Sequence, residues 1–328
     1  MSHAVIAPSA ERGQSPPSPA AISHLRASDG TALLIVFSAA APTVAGVLLS
    51  IQDSWWLWAI GQVLFGFAMV QWFALLHECG HETLFRTKWL NAPVGRTAAF
   101  FSLIPFQVWK RVHARHHKWT GWQDVDPTTQ SLVPRPLGKA ERLLMNVAWK
   151  FWLPLFSVLY RVNNFWNVPR LRDLFRKPDD RRRIAISLAS YVVVYAAIVI
   201  AFGPMTVLKV AGVALLLALM AEDVLLLSQH THIPQKLSHG EEVRPFPTIE
   251  QEVFTRSLVF PKWLAALTLH IDAHELHHMY PFVPGYRLGA IEYETENEIG
   301  WWTWIRRARA LPGEVFLFQN RLETGADI

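Results

Sequence analysis

Four long apolar stretches constrain this chain more than any other feature. They run over about 31–52, 55–76, 184–202 and 205–227, each long enough to cross a bilayer, which takes roughly 20 residues. Only Asp53 and Ser54 separate the first two, and only Gly203 and Pro204 the last two. Each pair therefore predicts a helical hairpin with almost nothing on its far side. Composition agrees: 51% of the 328 residues are hydrophobic, 17% are charged and 15 are Trp, with a mean hydropathy of +0.18. That is too apolar and too poorly charged for an ordinary soluble domain. It fits an all-α integral membrane protein with a sizeable polar portion.

The polar portion is 77–183 and 228–328, which hold most of the Lys and Arg; Arg161 to Arg183 alone carries eight basic and three acidic residues. The positive-inside rule puts both segments and both termini in the cytoplasm, and the cytoplasmic (inner) membrane is the expected location. The same rule accounts for the net charge of +5 without nucleic acid. Residues 1–28 are rich in Ser, Pro and Ala and lack a long apolar core, so they read as a disordered tail and not as a signal peptide. Residues 29–290 read as the membrane domain. Two interrupted apolar stretches, 97–109 with Pro105 and 145–160 with Lys150 and Pro154, read as interfacial or re-entrant helices. Trp301, Trp302 and Trp304, followed by Arg306, Arg307 and Arg309, read as a membrane-surface helix within a C-terminal part, 291–328. The single cysteine, Cys79, excludes an internal disulfide and a Cys-rich zinc or iron–sulfur site.

Eight histidines fall in three tight clusters: His77 and His81; His113, His116 and His117; His274, His277 and His278. Residues three and four apart share one helix face, so each cluster aims its imidazoles at one spot. Imidazole is the commonest metal ligand among side chains. Eight are too many for one ion of four to six ligands and suit two adjacent ions. The topology puts every cluster on the same side of the membrane, where all can converge. His230 and His232 end the fourth apolar stretch, and His232 is the favoured ninth ligand. His230 and His270 are candidates as additional ligands or as donors behind them. His3, His24 and His239 read as ordinary histidines. Glu78, Asp124, Asp126, Asp223, Asp272 and Glu275 lie near the clusters. A carboxylate there can hydrogen-bond the outer nitrogen of a ligand and fix its tautomer; Asp126 and Asp272 are the better placed. His77-Glu78-Cys79-Gly80-His81 also fits H-E-x-x-H, in which the glutamate is the general base of a zinc protease. That reading leaves both H-x-x-H-H triplets unexplained.

The order H-x-x-x-H, H-x-x-H-H and H-x-x-H-H, with two apolar hairpins between, resembles the membrane fatty acid desaturase and hydroxylase superfamily over about 70–290. The stretch His116-His117-Lys-Trp-Thr-Gly-Trp-Gln-Asp-Val-Asp126-Pro is similar to the residues after that family's second box. Gln229-His230-Thr-His232 resembles the Q-H-T-H of plant-type acyl-lipid desaturases. His277-His278-Met-Tyr-Pro281-Phe-Val-Pro284-Gly-Tyr286 resembles the H-H-x-x-P-x-x-P-x-Y ending. The third box opens on His274 where many desaturases acting near the carboxyl end carry Gln, and the heme-binding H-P-G-G of cytochrome b5 fusions is absent.

The resemblance implies four transmembrane helices under a cytosolic helical cap. It implies two irons (Fe2+/Fe3+) held by His77, His81, His113, His116, His117, His232, His274, His277 and His278. The implied reaction is O2-dependent oxidation of an unactivated C–H bond in a lipid acyl chain. Electrons would come from a separate ferredoxin, rubredoxin or cytochrome b5 with its reductase. A double bond is the leading outcome. Hydroxylation or ketolation of a carotenoid, sphingolipid or other lipid is the alternative, and the ligands do not separate the two. A metal transporter would hold its ligands at mid-membrane, not at the cytoplasmic ends. The substrate's chain length, head group and regiochemistry, the electron donor and the oligomeric state are not written in the sequence.

Overall fold

The computed structural model describes residues 15–328, and the chain is mostly helical. In order come α1 (Asp29–Ser50), α2 (Trp55–His81), α3 (Asn91–Phe101), α4 (Phe106–Trp119), α5 (Lys139–Lys150), α6 (Leu155–Arg161), α7 (Val168–Leu174), α8 (Pro178–Phe202), α9 (Pro204–His230), α10 (Lys262–Leu267), α11 (His274–Met279), α12 (Gly285–Leu288), α13 (Trp301–Ala310), α14 (Gly313–Phe318) and α15 (Arg321–Thr324). A π-helical turn, Val162–Trp166, follows α6. A 3₁₀ segment, Thr248–Phe254, precedes α10. The strands β1 (Leu258–Val259) and β2 (Ile299–Gly300) form one short parallel pair.

Four helices, α1, α2, α8 and α9, are long and apolar enough to cross a membrane. They cover the four apolar stretches except Ile51 and Gln52, with four residues between α1 and α2 and Gly203 alone between α8 and α9. The outer two, α1 and α8, expose most of their apolar side chains, whereas α2 is largely buried. Small residues let α2 approach its neighbours. A Cβ on Gly46 would lie 2.8 Å from Phe65 Cβ, and one on Gly66 2.9 Å from the Ala214 carbonyl. Close backbone approach is the usual basis of helix association in lipid. Gln62 of α2 adds a polar pin. Its amide nitrogen donates to Ser50 Oγ of α1 and to the Val210 carbonyl of α9, and its oxygen accepts from Ala214 N. The side chain thus sits inside the Val210–Ala214 step of the α9 ladder and joins three helices.

Length decides where α2 and α9 end. Each has 27 residues, about 40 Å of helix at 1.5 Å per residue, against a hydrocarbon core of about 30 Å. Each helix is thus about 10 Å longer than such a core, and the last two turns carry His77 and His81 on α2 and His230 on α9.

The interrupted stretches break at their prolines. Residues 97–109 divide between α3 and α4 at Pro105, so they do not form one interfacial helix. Likewise 145–160 divides into α5 and α6, which bend by 116° about the Pro154 corner. The outer face of α5 exposes Leu143, Leu144, Val147 and Phe151, the composition of a helix lying on a lipid surface. Two expectations change. Residues 1–14 lie outside the described residues, His3 among them, but 15–28 are not a free tail. Ile22 is buried against Leu276, Met279 and Tyr280, and the Tyr280 hydroxyl donates to the Pro17 carbonyl at 2.7 Å. The membrane-surface helix expected at the C-terminus turns inward instead. On α13, Trp304, Ile305 and Ala308 pack with Trp149 and Phe316 in a core of their own, leaving Trp302 as its exposed aromatic.

Candidate metal centre

Three helices bring the boxes together. The last turns of α2 carry His77 and His81, α4 carries His113, His116 and His117, and the one-and-a-half turns of α11 carry His274, His277 and His278. Together with His230 at the end of α9 they form two groups. The first is His77, His81, His113, His117 and His277; the second is His116, His230, His274 and His278. In each group one ligand atom per residue lies within 4.8 Å of all the others. The i, i+3, i+4 triplets split between the groups. In α4, His113 and His117 face the first group and His116 the second; in α11, His277 faces the first and His274 and His278 the second. The groups touch, with the His117 and His278 rings stacked 4.3 Å apart. All eight box histidines are thus in the groups.

The nitrogen geometry fits metal ions and does not fit hydrogen bonding. His113 Nε2 lies 2.9 Å from His81 Nε2 and 3.0 Å from His117 Nε2, which is itself 3.0 Å from His277 Nε2. In the second group His274 Nε2 lies 2.9 Å from His230 Nε2 and 3.1 Å from His278 Nε2. A neutral imidazole nitrogen has either one proton or one in-plane lone pair, so a nitrogen approached by two others cannot bond both well. Lone pairs converging on a cation explain the spacing: two ligands about 2.1 Å from an ion and at right angles sit about 3.0 Å apart. His77 Nε2 is buried in the first group with no hydrogen-bond partner among the described residues. Burial, and then the neighbouring histidines, push His113, His117, His274, His277 and His278 well below the ordinary imidazole range. They are neutral ligands at pH 7. Both groups are all-nitrogen, a donor set that suits iron, zinc, copper or nickel.

Outer nitrogens fix three of the rings. His116 Nδ1 donates to Asp126 Oδ2 at 2.7 Å, with Thr128 Oγ1 at 2.9 Å, and Thr128 in turn donates to Asp126 Oδ1. His278 Nδ1 donates to Gln251 Oε1 at 2.9 Å. His77 Nδ1 donates to Glu78 Oε1 at 3.2 Å. Each bond leaves Nε2 unprotonated and aimed inward. Glu78 also accepts from Thr83 Oγ1 and Gly285 N. Its carboxylate is engaged behind a ligand and is not the free general base that H-E-x-x-H requires.

The remaining candidates fall elsewhere. His232, favoured from the sequence, lies outside both groups: its Nε2 is 2.8 Å from Thr324 Oγ1 of α15. The physical reason is rotation. On α9, Asp223, Leu227 and His230 recur on one face and line one cavity. The chain then leaves the helix, and His232 takes φ +63°, which turns it away. The helical spacing from Asp223 to His230 is the sequence signal that places His230 on that face. His270 packs its ring where a Cβ on Gly289 would be, and joins neither group. Asp272 accepts from Phe260 N, Asp124 from the Ser238 amide and hydroxyl, Asp223 from Ser157, and Glu275 from Ser257 N, Thr295 Oγ1 and Asn297 N. None of these four carboxylates bonds a group histidine. Thr128 and Gln251 do, and nothing in the sequence marked them. His24 and His239 are exposed and outside the groups.

Both groups open onto a cavity of about 440 Å³, within the usual range for a small-molecule site. His77, His113, His116, His230 and His274 lie in its wall with Phe73, Trp109, Leu226, Leu227 and Ile271. Trp109 stacks on His113, with ring centres 4.2 Å apart. Gly80 makes that possible, because a Cβ there would lie 2.0 Å from Trp109 Cζ3.

Residues 53–304 match the family model for fatty acid desaturases. Among curated proteins, a probable fatty acid desaturase of Sorghum bicolor is 26% identical over 269 residues, covering 77% of this chain and 67% of the relative. An endoplasmic reticulum acyl-lipid omega-3 desaturase (cytochrome b5) of Arabidopsis thaliana is 26% identical, covering 77% and 66%. An sn-1 oleoyl-lipid 12-desaturase of a Picosynechococcus strain is 26% identical, covering 77% and 73%. The chain thus spans about two thirds of the length of the first of these relatives. With the family model matching more than half of its length, this chain belongs to the fatty acid desaturase family of oxidoreductases.

Proposed function

We propose that this protein is a membrane di-iron desaturase that uses O2 to introduce a double bond into the fatty acyl chain of a lipid. The observation that carries the reading is the pair of convergent all-histidine groups opening onto one largely apolar cavity. In this reading α1, α2, α8 and α9 span the cytoplasmic membrane, and the rest forms a cytosolic cap with the termini on the same side. The first group holds one iron and the second group the other. The irons, when bound, supply the O2-dependent oxidation of an unactivated C–H bond.

The protein's own residues do the rest. Asp126 with Thr128, Gln251 and Glu78 hold three ligand rings in the tautomer that keeps Nε2 open. Phe73, Trp109, Leu226 and Ile271 exclude water and lay an acyl chain along the histidine wall, and misplacement there by a fraction of an ångström is costly in rate. In the balanced reaction, –CH2–CH2– with one O2, two electrons and two protons becomes –CH=CH– and two waters. A separate one-electron carrier supplies the electrons, in keeping with the cytochrome b5 in the name of the Arabidopsis relative.

The test combines metal analysis with lipid analysis. Purified protein should carry two irons per chain, and its expression in a host with saturated acyl chains should yield new double bonds. A new hydroxyl group in place of a double bond would shift the reading to the hydroxylase alternative. Protein loaded with zinc alone and inert toward lipids would overturn it.

A further inference from the structure

One stretch of the cavity wall carries polar side chains and is firmly built. Tyr160, on the last turn of α6, and Asn163, one turn on in the π-helical turn, both line the cavity. The Tyr160 hydroxyl and the Asn163 side-chain amide have no hydrogen-bond partner among the described residues, although their surroundings are thoroughly fixed. Arg170 donates to the Asn163 carbonyl, to Asn164 Oδ1 and to the Pro127 carbonyl beside Asp126. Arg161 donates to the Ser102 and Ser157 carbonyls and pairs with Glu222. Arg170 thus ties this shelf to the segment that carries Asp126, and Arg161 ties it to α9 through Glu222. π-Helical turns of this kind recur at functional sites. Both side chains are only part-buried, so water can meet these polar ends in the open cavity; a bound lipid displaces that water, and a plain hydrocarbon chain cannot replace its hydrogen bonds.

We propose that Tyr160 and Asn163 form a recognition shelf for an oxygen atom of the substrate, so that the cavity takes a lipid with a carbonyl or hydroxyl group close to the C–H bond to be oxidised. This deepens the desaturase reading and rests on it for the reaction. It concerns binding, so it can fail while that reading stands. A phenol hydroxyl can donate or accept, and an amide can do both. The oxygen has two possible sources: the acyl ester carbonyl, for a double bond near the carboxyl end, or a hydroxyl already on the chain.

The experiment is equilibrium binding to the metal-loaded full chain in detergent. The probes are stearoyl phosphatidylglycerol, its ether-linked analogue and hydroxystearoyl phosphatidylglycerol. If the ester carbonyl is read, the ester binds more tightly than the ether by about 3- to 10-fold, the range of one hydrogen bond. If a chain hydroxyl is read, the hydroxylated lipid gains by the same factor over the plain one. Either preference should shrink in Tyr160→Phe, which keeps the ring, and in Asn163→Leu, and product analysis should show the double bond scattered along the chain. Equal binding of all three probes to the unmodified protein overturns the proposal, as does a preference that survives both substitutions.

Discussion

The two histidine groups share α4 and α11 but differ in their third helix, α2 for one and α9 for the other, and are supported differently. The first takes two histidines from the C-terminal end of α2, two from α4 and one from α11. Its positions follow from helix geometry, and its packing is aromatic: Trp109 against His113, with Gly80 as the gap that admits it. Only His77 in this group has an acid behind it, and His117 Nδ1 has no partner among the described residues. The second group takes one ligand from α4, one from α9 and two from α11. It depends on side chains outside the α-helices, namely Asp126 and Thr128 behind His116 and Gln251, of the 3₁₀ segment, behind His278. Among the described residues the first group thus has an outer side-chain hydrogen bond behind one of its five rings, His77, and the second behind two of its four, His116 and His278.

Removal of a ligand should have the largest effect and should separate the groups. His116→Ala should cost the second ion and His277→Ala the first, each abolishing lipid oxidation and lowering bound iron toward one per chain by elemental analysis. Retention of two ions in either variant would break the division into a five-ligand and a four-ligand group.

Next in size is the packing of the first group. Gly80→Ala puts a methyl group into the Trp109 ring, which must shift and carry His113 with it. An overpacked core costs about 1–3 kcal/mol, visible as a lower thermal midpoint together with loss of metal. Its effect on Trp109 fluorescence would sharpen the contrast, since Asp126→Ala should leave that signal alone.

Weakening the outer bonds should act mainly on the second group. Asp126→Ala should reduce metal affinity there by about 10- to 100-fold, and Gln251→Ala by less, because an amide oxygen is a weaker acceptor than a carboxylate. Chelator titration followed by elemental analysis measures both. Equal losses from the two groups would show that the outer shell is shared.

Acid should affect both groups alike. His113, His117, His274, His277 and His278 have folded values depressed below the ordinary 6.5. As pH falls below about 6.5, the unfolded chain takes up protons that the folded one refuses, so stability is complete above that value and is lost below it. Thermal unfolding of metal-depleted protein across this range should show the loss. The smallest effect belongs to the histidines outside the groups. His232→Ala should leave bound iron unchanged while loosening α15 through loss of the Thr324 contact, and His239→Ala should change neither.

Much of this was legible in the chain. The four apolar stretches located α1, α2, α8 and α9, because long uninterrupted apolar runs admit few alternatives. Box spacing named all eight clustered histidines, because three- and four-residue intervals share a face only on a helix. Asp126 was readable as the carboxylate behind a ligand. Asp272, the other favoured carboxylate, instead accepts from Phe260 N, since its direction is set by the turn before α11 and not by its distance in sequence from His274.

Sequence alone determined where the four long apolar helices lie and which imidazoles could act together, since both follow from local pattern along one element. Tertiary structure decided the rest: that His230 and not His232 faces the site, that each H-x-x-H-H triplet divides between two groups, and that Gln251 and Thr128 stand behind ligands. Those facts depend on how helices far apart in sequence rotate and pack against one another, and the close approaches that fix the rotation, such as Gly80 on Trp109, are made between elements and not within them.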